Sequence, residues 1–385
     1  GGAGQGEITY PMSSDDKVCF VLSVREGEKN LKEKKYLYGK CNLHKPPIIK
    51  KQRYTHTAFY GVPRKDNFPY PIVDKIEIEA FSKAFGLKRK NINGNSYVIP
   101  KIRENSGITE RGIIISVIEE YFFPIIKNSL KVHVNNIIIN EMNMIDEAFL
   151  NQYFDKEKTD FFLFSAERLT SNSNAINLPK TCTDSHKIDL EDSNFKAKPL
   201  AVKIKKIKKD FNNKKPVTIT IPLTIHKQDG TEKQSKYKIH LKKVNDNYSS
   251  KDALLRGALN LRDENHIYGL LEPVFALTEI DENTPIADLV KLSEVPSHNS
   301  MKHMRATKEF KHARSTIEII RKIPKEFAKL LLGLDDAIDA NAYSDLFPVG
   351  KDGSGNLGWI DPRTVGNKCQ ICKKTICICP CNRCK

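Results

Sequence analysis

The chain has 385 residues, of which 63 are Lys or Arg and 47 are Asp or Glu, so its formal net charge is +16. Hydrophobic residues make up 39% and charged residues 29%, which supplies a packed core and excludes a wholly disordered chain. At roughly 150 residues per domain the length points to two or three domains, and no run approaches the ~18 uncharged apolar residues of a membrane span. The most apolar region, 113–126, is interrupted by Glu119, Glu120 and Pro124. The first residues do not read as a signal peptide, and Gly1 is not an initiator, so a fragment of a longer protein is expected. Of nine cysteines, Cys19, Cys41 and Cys182 are scattered and six fall between Cys369 and Cys384. That distribution fits an intracellular, metal-binding chain, expected in the cytoplasm, better than a disulfide-stapled one.

In chain order, Gly1-Gly2-Ala3-Gly4-Gln5-Gly6 reads as a glycine loop, Lys17 to Val24 as a buried strand and Lys35 to Leu43 as an alternating one. Arg53 to Val62 is a third strand, and Ile76 to Phe85 a short amphipathic helix. Turn chemistry at Asn91 to Asn95 leads into a strand over Ser96 to Ile102. Thr109 caps a helix whose period is set by Ile113, Val117, Tyr121 and Ile125, with Pro124 expected to kink or end it. Val132 to Ile139 reads as a strand. Residues 168–194, rich in Ser, Thr, Asn and Asp, read as a long loop.

The second half opens with a basic strand at 196–215. Val217, Ile219, Ile221, Leu223 and Ile225 then alternate with polar residues, Asp229-Gly230 makes a turn, and Tyr237, Ile239 and Leu241 return opposite Lys236, Lys238, His240 and Lys242, which predicts a hairpin. Leu254 to Leu261 and Val274 to Ile280 follow as strands, Ile286 to Leu292 as a helix behind Thr284-Pro285, and Lys302 to Leu332 as a long basic helix. The fold class is α+β. The expected organisation is a first α+β unit at 1–150, a linker at 151–195, an α+β domain with a basic sheet at 196–300, a helical extension at 301–348 and a loose Cys-rich tail at 349–385.

Three features carry chemistry. Gly2, Gly4 and Gly6 leave room for backbone N–H groups to approach a phosphate, although Glu7 stands where a P-loop lysine would be; a flexible end is the plainer reading. Residues 196–215 hold nine lysines against one acid, Asp210, so half the net charge sits in twenty residues. Lys203, Lys205, Lys206, Lys208 and Lys209, joined by Lys236 and Lys238, are expected to form one positive sheet surface for nucleic-acid phosphates within 196–242; a solvated lysine face is the alternative. In the tail, two C-x2-C pairs, Cys369/Cys372 and Cys381/Cys384, have the spacing of a four-thiolate zinc site; redox-active thiols are the alternative.

The order of the first-half features, a glycine loop, a strand, Tyr38-Gly39-Lys40, Thr57 to Gly61, Gly94-Asn95-Ser96, and a helix ending in Tyr121-Phe122-Phe123-Pro124, resembles the back of the ATP-binding domain in bacterial GHKL proteins, the gyrase B, heat-shock chaperone, MutL and histidine kinase group. Leu255-Arg256-Gly257-Ala258 is similar to the Arg-Gly strand of that family's transducer domain, and Glu294-Val295-Pro296-Ser297-His298 to its Glu-x-Pro-x-His turn. The resemblance covers about residues 1–348. It implies that the glycines belong to an ATP lid, that Gly94 and Ser96 hold the place of a nucleotide-supporting Gly-Thr pair, and that ATP with Mg drives dimerisation coupled to a partner such as DNA. The family's catalytic Glu, Mg-binding Asn and adenine site precede the lid, so the parent is expected to be an ATPase, with no catalytic residue in this chain. The rival reading is a non-catalytic nucleic-acid-binding protein with a basic sheet and a zinc-binding tail.

Overall fold

The computed structural model describes residues 10–25, 34–42, 48–49, 51–53, 55–63, 69–89, 91–104, 108–171, 175–178, 183–184, 187–188, 198–261, 270, 272–295, 300–333, 349–351 and 357–359. It mixes helices and strands in several sheets, an α+β architecture, and no described helix is long and apolar enough to cross a membrane. The chain forms two compact units. The first takes residues 1–154 with 294–299, and the second takes 155–293 with 300–385.

In the first unit, strands β1 (Val18–Val24), β2 (Lys35–Asn42), β3 (Thr57–Tyr60) and β4 (Gly94–Val98) form an antiparallel sheet in the order β3-β2-β1-β4. Helix α1 (Lys75–Ala84) starts at Asp74, whose carboxylate accepts from the Glu77 N–H at 2.9 Å. Ile78 of α1 joins Leu22, Leu37 and Ile72 in a small core flanked by Phe20, Phe81 and Leu87. Helix α2 (Glu110–Ile126) is capped by Thr109, which accepts from the Gly112 N–H at 3.0 Å. It buries Ile114, Ile118, Phe122, Phe123, Ile125 and Ile126, and it kinks at Tyr121 (φ −121°, ψ 15°). The cause is Pro124, which lacks an N–H and crowds the carbonyl four residues back. The stretch read as one strand over Val132 to Ile139 is a tight hairpin of β5 (Val132–Val134) and β6 (Ile137–Ile139), reversing at Asn135 with φ +51°. Two short helices, α3 (Glu141–Met144) and α4 (Glu147–Asn151), follow.

The second unit opens inside the stretch read as a linker. Helix α5 (Lys156–Thr170), capped by Asp155, buries Phe161, Phe162 and Phe164. Next come β7 (Ala175–Asn177), helix α6 (Lys198–Asn212), β8 (Val217–His226), β9 (Glu232–Lys243), β10 (Lys251–Arg256), β11 (Leu259–Leu261), β12 (Val274–Ile280), α7 (Pro285–Ser293) and α8 (Ala313–Leu332). The sheet order is β11-β10-β12-β9-β8-β7, with β10–β12 and β7–β8 parallel and the rest antiparallel. The β8–β9 hairpin has the expected turn: Asp229 accepts from the Thr231 N–H at 2.8 Å and Gly230 takes φ +88°. The long basic helix begins eleven residues later than its sequence suggests, because a 3-10 turn at Ala306–Lys308 precedes it.

Strand alternation gives this sheet two buried faces. Ile219, Ile221, Leu223, Tyr237, Ile239, Leu241 and Ala276 share one core with Ile207 and Phe211 of α6, Ile286 and Leu289 of α7, and Ile317, Ile320, Phe327 and Leu331 of α8. The residues between them, His240 and Phe275 among them, point the other way, where Phe161 and Phe164 of α5 meet Phe275 at ring distances of 5.3 and 6.1 Å. The segment 301–348, read as an extension, therefore supplies α8 to the main core of this unit. In the tail, 349–351 and 357–359 pair antiparallel.

Residues 198–212 are helical, not a strand: Ile204, Ile207 and Phe211 recur at helical spacing and turn inward, while Val202, which an alternating strand would bury beside Ile204, is 68% exposed. In consequence the positive sheet surface is not formed. The α6 lysines belong to a helix packed on one face of the sheet, whereas Lys236 and Lys238 project from the other.

Candidate nucleotide and anion sites

In the first unit, Gly94 is the first residue of β4, has φ +133°, and lies opposite Val24 of β1. A side chain there would be strained, and its Cβ would come within 2.9 Å of the Arg89 guanidinium. Arg89 is held by three hydrogen bonds across the turn. Its Nε donates to Ser96 Oγ at 3.3 Å, and one terminal nitrogen donates to the carbonyls of Ile92 and Asn93 at 3.1 and 3.0 Å. The structure thus brings Gly94 and Ser96 together and adds a cation that the sequence reading missed. Gly2, Gly4 and Gly6 lie outside the described residues. The chain that follows them enters at Tyr10, whose ring stacks on Tyr97 of β4 at 4.5 Å, one residue beyond Ser96.

In the second unit the five candidate lysines of α6 point in different directions. Lys203 and Lys206 stand on one stripe with Ile207 and Asp210, at i, i+3, i+4 and i+7. Lys205 and Lys209 are exposed. Lys208 Nζ lies against Gly333 at the C-terminus of α8, where its charge complements the carbonyl end of the helix. On β9, Lys236 is exposed and Lys238 pairs with Glu279 at 3.3 Å.

Beside that pair sits His240, 1% exposed, with Nδ1 2.9 Å from Thr218 Oγ1 and Nε2 3.8 Å from Glu279. Burial holds this imidazole below the ordinary value of 6.5; Glu279 pulls the other way, and the charges of Lys238 and Arg168 add to the depression.

The stripe of Lys203, Lys206 and Asp210 lines a cleft of about 540 Å³ at the β7 edge of the sheet, together with Arg168 and Ser171 from the end of α5 and Ala175, Ile176, Pro216, Val217 and Thr218. The Arg168 side chain is 8% exposed, one terminal nitrogen pairs with Glu167, and its Nε is buried without a hydrogen-bond partner. Neither arginine was legible as a site residue. Arg89 carried a weak signal in the run Lys88-Arg89-Lys90 before the turn, and Arg168 carried none.

Arg256 closes β10 and pairs with Glu282 at 2.6 Å, while Gly257 turns at φ +61° and donates to the Ile280 carbonyl at 2.8 Å. The four zinc candidates Cys369, Cys372, Cys381 and Cys384 lie outside the described residues, and among those described no group of three or more His, Cys, Asp and Glu could hold a metal ion. No protein-family model, curated protein or solved structure matches the chain.

Proposed function

We propose that the chain carries the back of a GHKL-type nucleotide-binding domain followed by a transducer-like domain, and that ATP closing on the first unit is coupled to dimerisation and to a partner. The observation that supports this reading best is the turn into β4. Gly94 and Ser96 stand at the start of a strand bonded to β1, as the resemblance requires of the nucleotide-supporting pair, and Arg89 adds a fixed guanidinium beside them. A glycine with a positive φ, a neighbouring hydroxyl and a planar donor fork suit a phosphate oxygen. The Arg256-Gly257 turn, at the end of an interior strand of the second unit's sheet, fits the transducer part of the reading. The residues of this chain then act as lid and support, not as the catalytic base.

The test is ATP·Mg binding and ATP-dependent dimerisation in the protein expressed from its complete reading frame. Replacing Arg89→Gln should weaken ATP binding about tenfold, the scale of one lost charge-assisted hydrogen bond. Unchanged affinity in R89Q would overturn the assignment, as would a coding sequence ahead of Gly1 with no Glu/Asn helix and no Asp-x-Gly-x-Gly motif.

A second reading is favoured by the exposure of Lys203, Lys205, Lys206 and Lys209 on one helix. We propose that this helix contacts nucleic-acid phosphates without reading sequence. A four-thiolate zinc site at Cys369, Cys372, Cys381 and Cys384 remains proposed on spacing alone.

A further inference from the structure

We propose that the cleft at the β7 edge of the second unit's sheet binds the phosphate group of an organic phosphate, with Arg168, Lys203 and Lys206 as its cationic ligands. The lining brings three cations against one carboxylate, Asp210, and with Glu167 paired to Arg168 the site still keeps a surplus of positive charge. Its volume, about 540 Å³, exceeds what a bare phosphate needs and suits a small ligand or a short stretch of polymer. The apolar part of its wall, Ala175, Ile176, Pro216 and Val217, can take the organic portion.

Arg168 carries the argument. A guanidinium with 8% of its side chain exposed is expensive to bury, and proteins satisfy such groups with acceptors. Glu167 occupies one terminal nitrogen, yet Nε is buried with no acceptor. Arg168 lines the cleft, and a small shift of its side chain would let a phosphate oxygen there accept from Nε. Lys203 and Lys206 are exposed on the facing helix and free to swing inward at little cost. This site is separate from the proposed nucleotide site, which lies in the other compact unit.

The chemistry is shared by two sources, a free phosphorylated molecule and the backbone of a nucleic acid, and the experiment separates them. The chain is titrated calorimetrically with pyrophosphate, and in parallel with a fluorescent single-stranded oligonucleotide at low salt. K203Q/K206Q and R168Q should each weaken pyrophosphate binding at least tenfold, while K205Q/K209Q, which removes the same charge from the exposed side of α6, should change it less than twofold. Displacement of the oligonucleotide by pyrophosphate supports the site with nucleic acid as its source. Pyrophosphate binding without oligonucleotide binding supports it with a free phosphorylated molecule. The proposal is overturned by equal losses in the two lysine pairs, by wild-type affinity in R168Q, or by no binding of either probe. Should R168Q fail to fold, the comparison of the two surface pairs decides. R89Q reports separately on the proposed nucleotide site: a loss in R89Q with K203Q/K206Q unchanged would place pyrophosphate there and overturn this proposal.

Discussion

At the scale of single residues, His240 shows how burial becomes a pH dependence. The folded chain holds this imidazole neutral, below its ordinary 6.5, chiefly because burial disfavours the charged ring. The unfolded chain takes up a proton near 6.5, so between the two values unfolding binds a proton and stability falls as pH falls. The contribution is fully present above 6.5 and is lost below it. Urea unfolding of the second unit should therefore show a midpoint that drops between about pH 7 and pH 5, and His240→Gln should flatten that slope. An unchanged slope in H240Q would assign the acid sensitivity to other groups. Arg89 and Arg168 teach a related lesson. Both are ordinary basic residues in the sequence, and only tertiary placement beside Gly94, or under the sheet edge with an unanswered Nε, distinguishes them.

At the scale of elements, legibility depended on whether a pattern admitted one period or two. The β8–β9 hairpin was readable because strict alternation met an Asp-Gly turn, and α2 because Thr109 caps an apolar run at helical spacing. The α6 segment was misread because Val202, Ile204 and the lysines around them satisfy a strand, while Ile204, Ile207 and Phe211 satisfy a helix. Tertiary packing chose the helix, since only then do Ile207 and Phe211 reach the shared core. Helix α5 went unread although Asp155 caps it, because its phenylalanines cluster at 161, 162 and 164 and not at one clean period. The consequence for α6 is testable. Phe211 is fully buried, so Phe211→Ala should cost about 3–5 kcal/mol. The loss should appear as a lower urea midpoint together with weaker oligonucleotide binding, whereas K205Q/K209Q should leave the midpoint unchanged.

At the scale of the whole molecule, the charge of +16 is concentrated, not spread, and the helix that carries much of it presents four exposed lysines. If Lys203, Lys205, Lys206 and Lys209 all contact a single strand, a plot of log affinity against log salt should have a slope of roughly −3, from about −0.7 per phosphate contact. A flat plot would exclude phosphate-driven binding, and a steeper one would require contacts elsewhere, Lys236 on the opposite face being available.

The strand order of the second unit sets a schedule for its synthesis. β12 is an interior strand that pairs with β9, yet it leaves the ribosome 37 residues after β9 ends. At about 5–20 residues per second the free edge of β9 waits roughly 2–7 s for its partner. An open strand edge of that length invites pairing with another nascent chain. Here the waiting stretch carries Lys236, Lys238, Lys242 and Lys243, and positive charge on an edge opposes such pairing. Once β12 arrives, Glu279 and Glu272 pair with Lys238 and Lys243. Two of the lysines that guard the unfinished sheet are thereby turned into part of its closure.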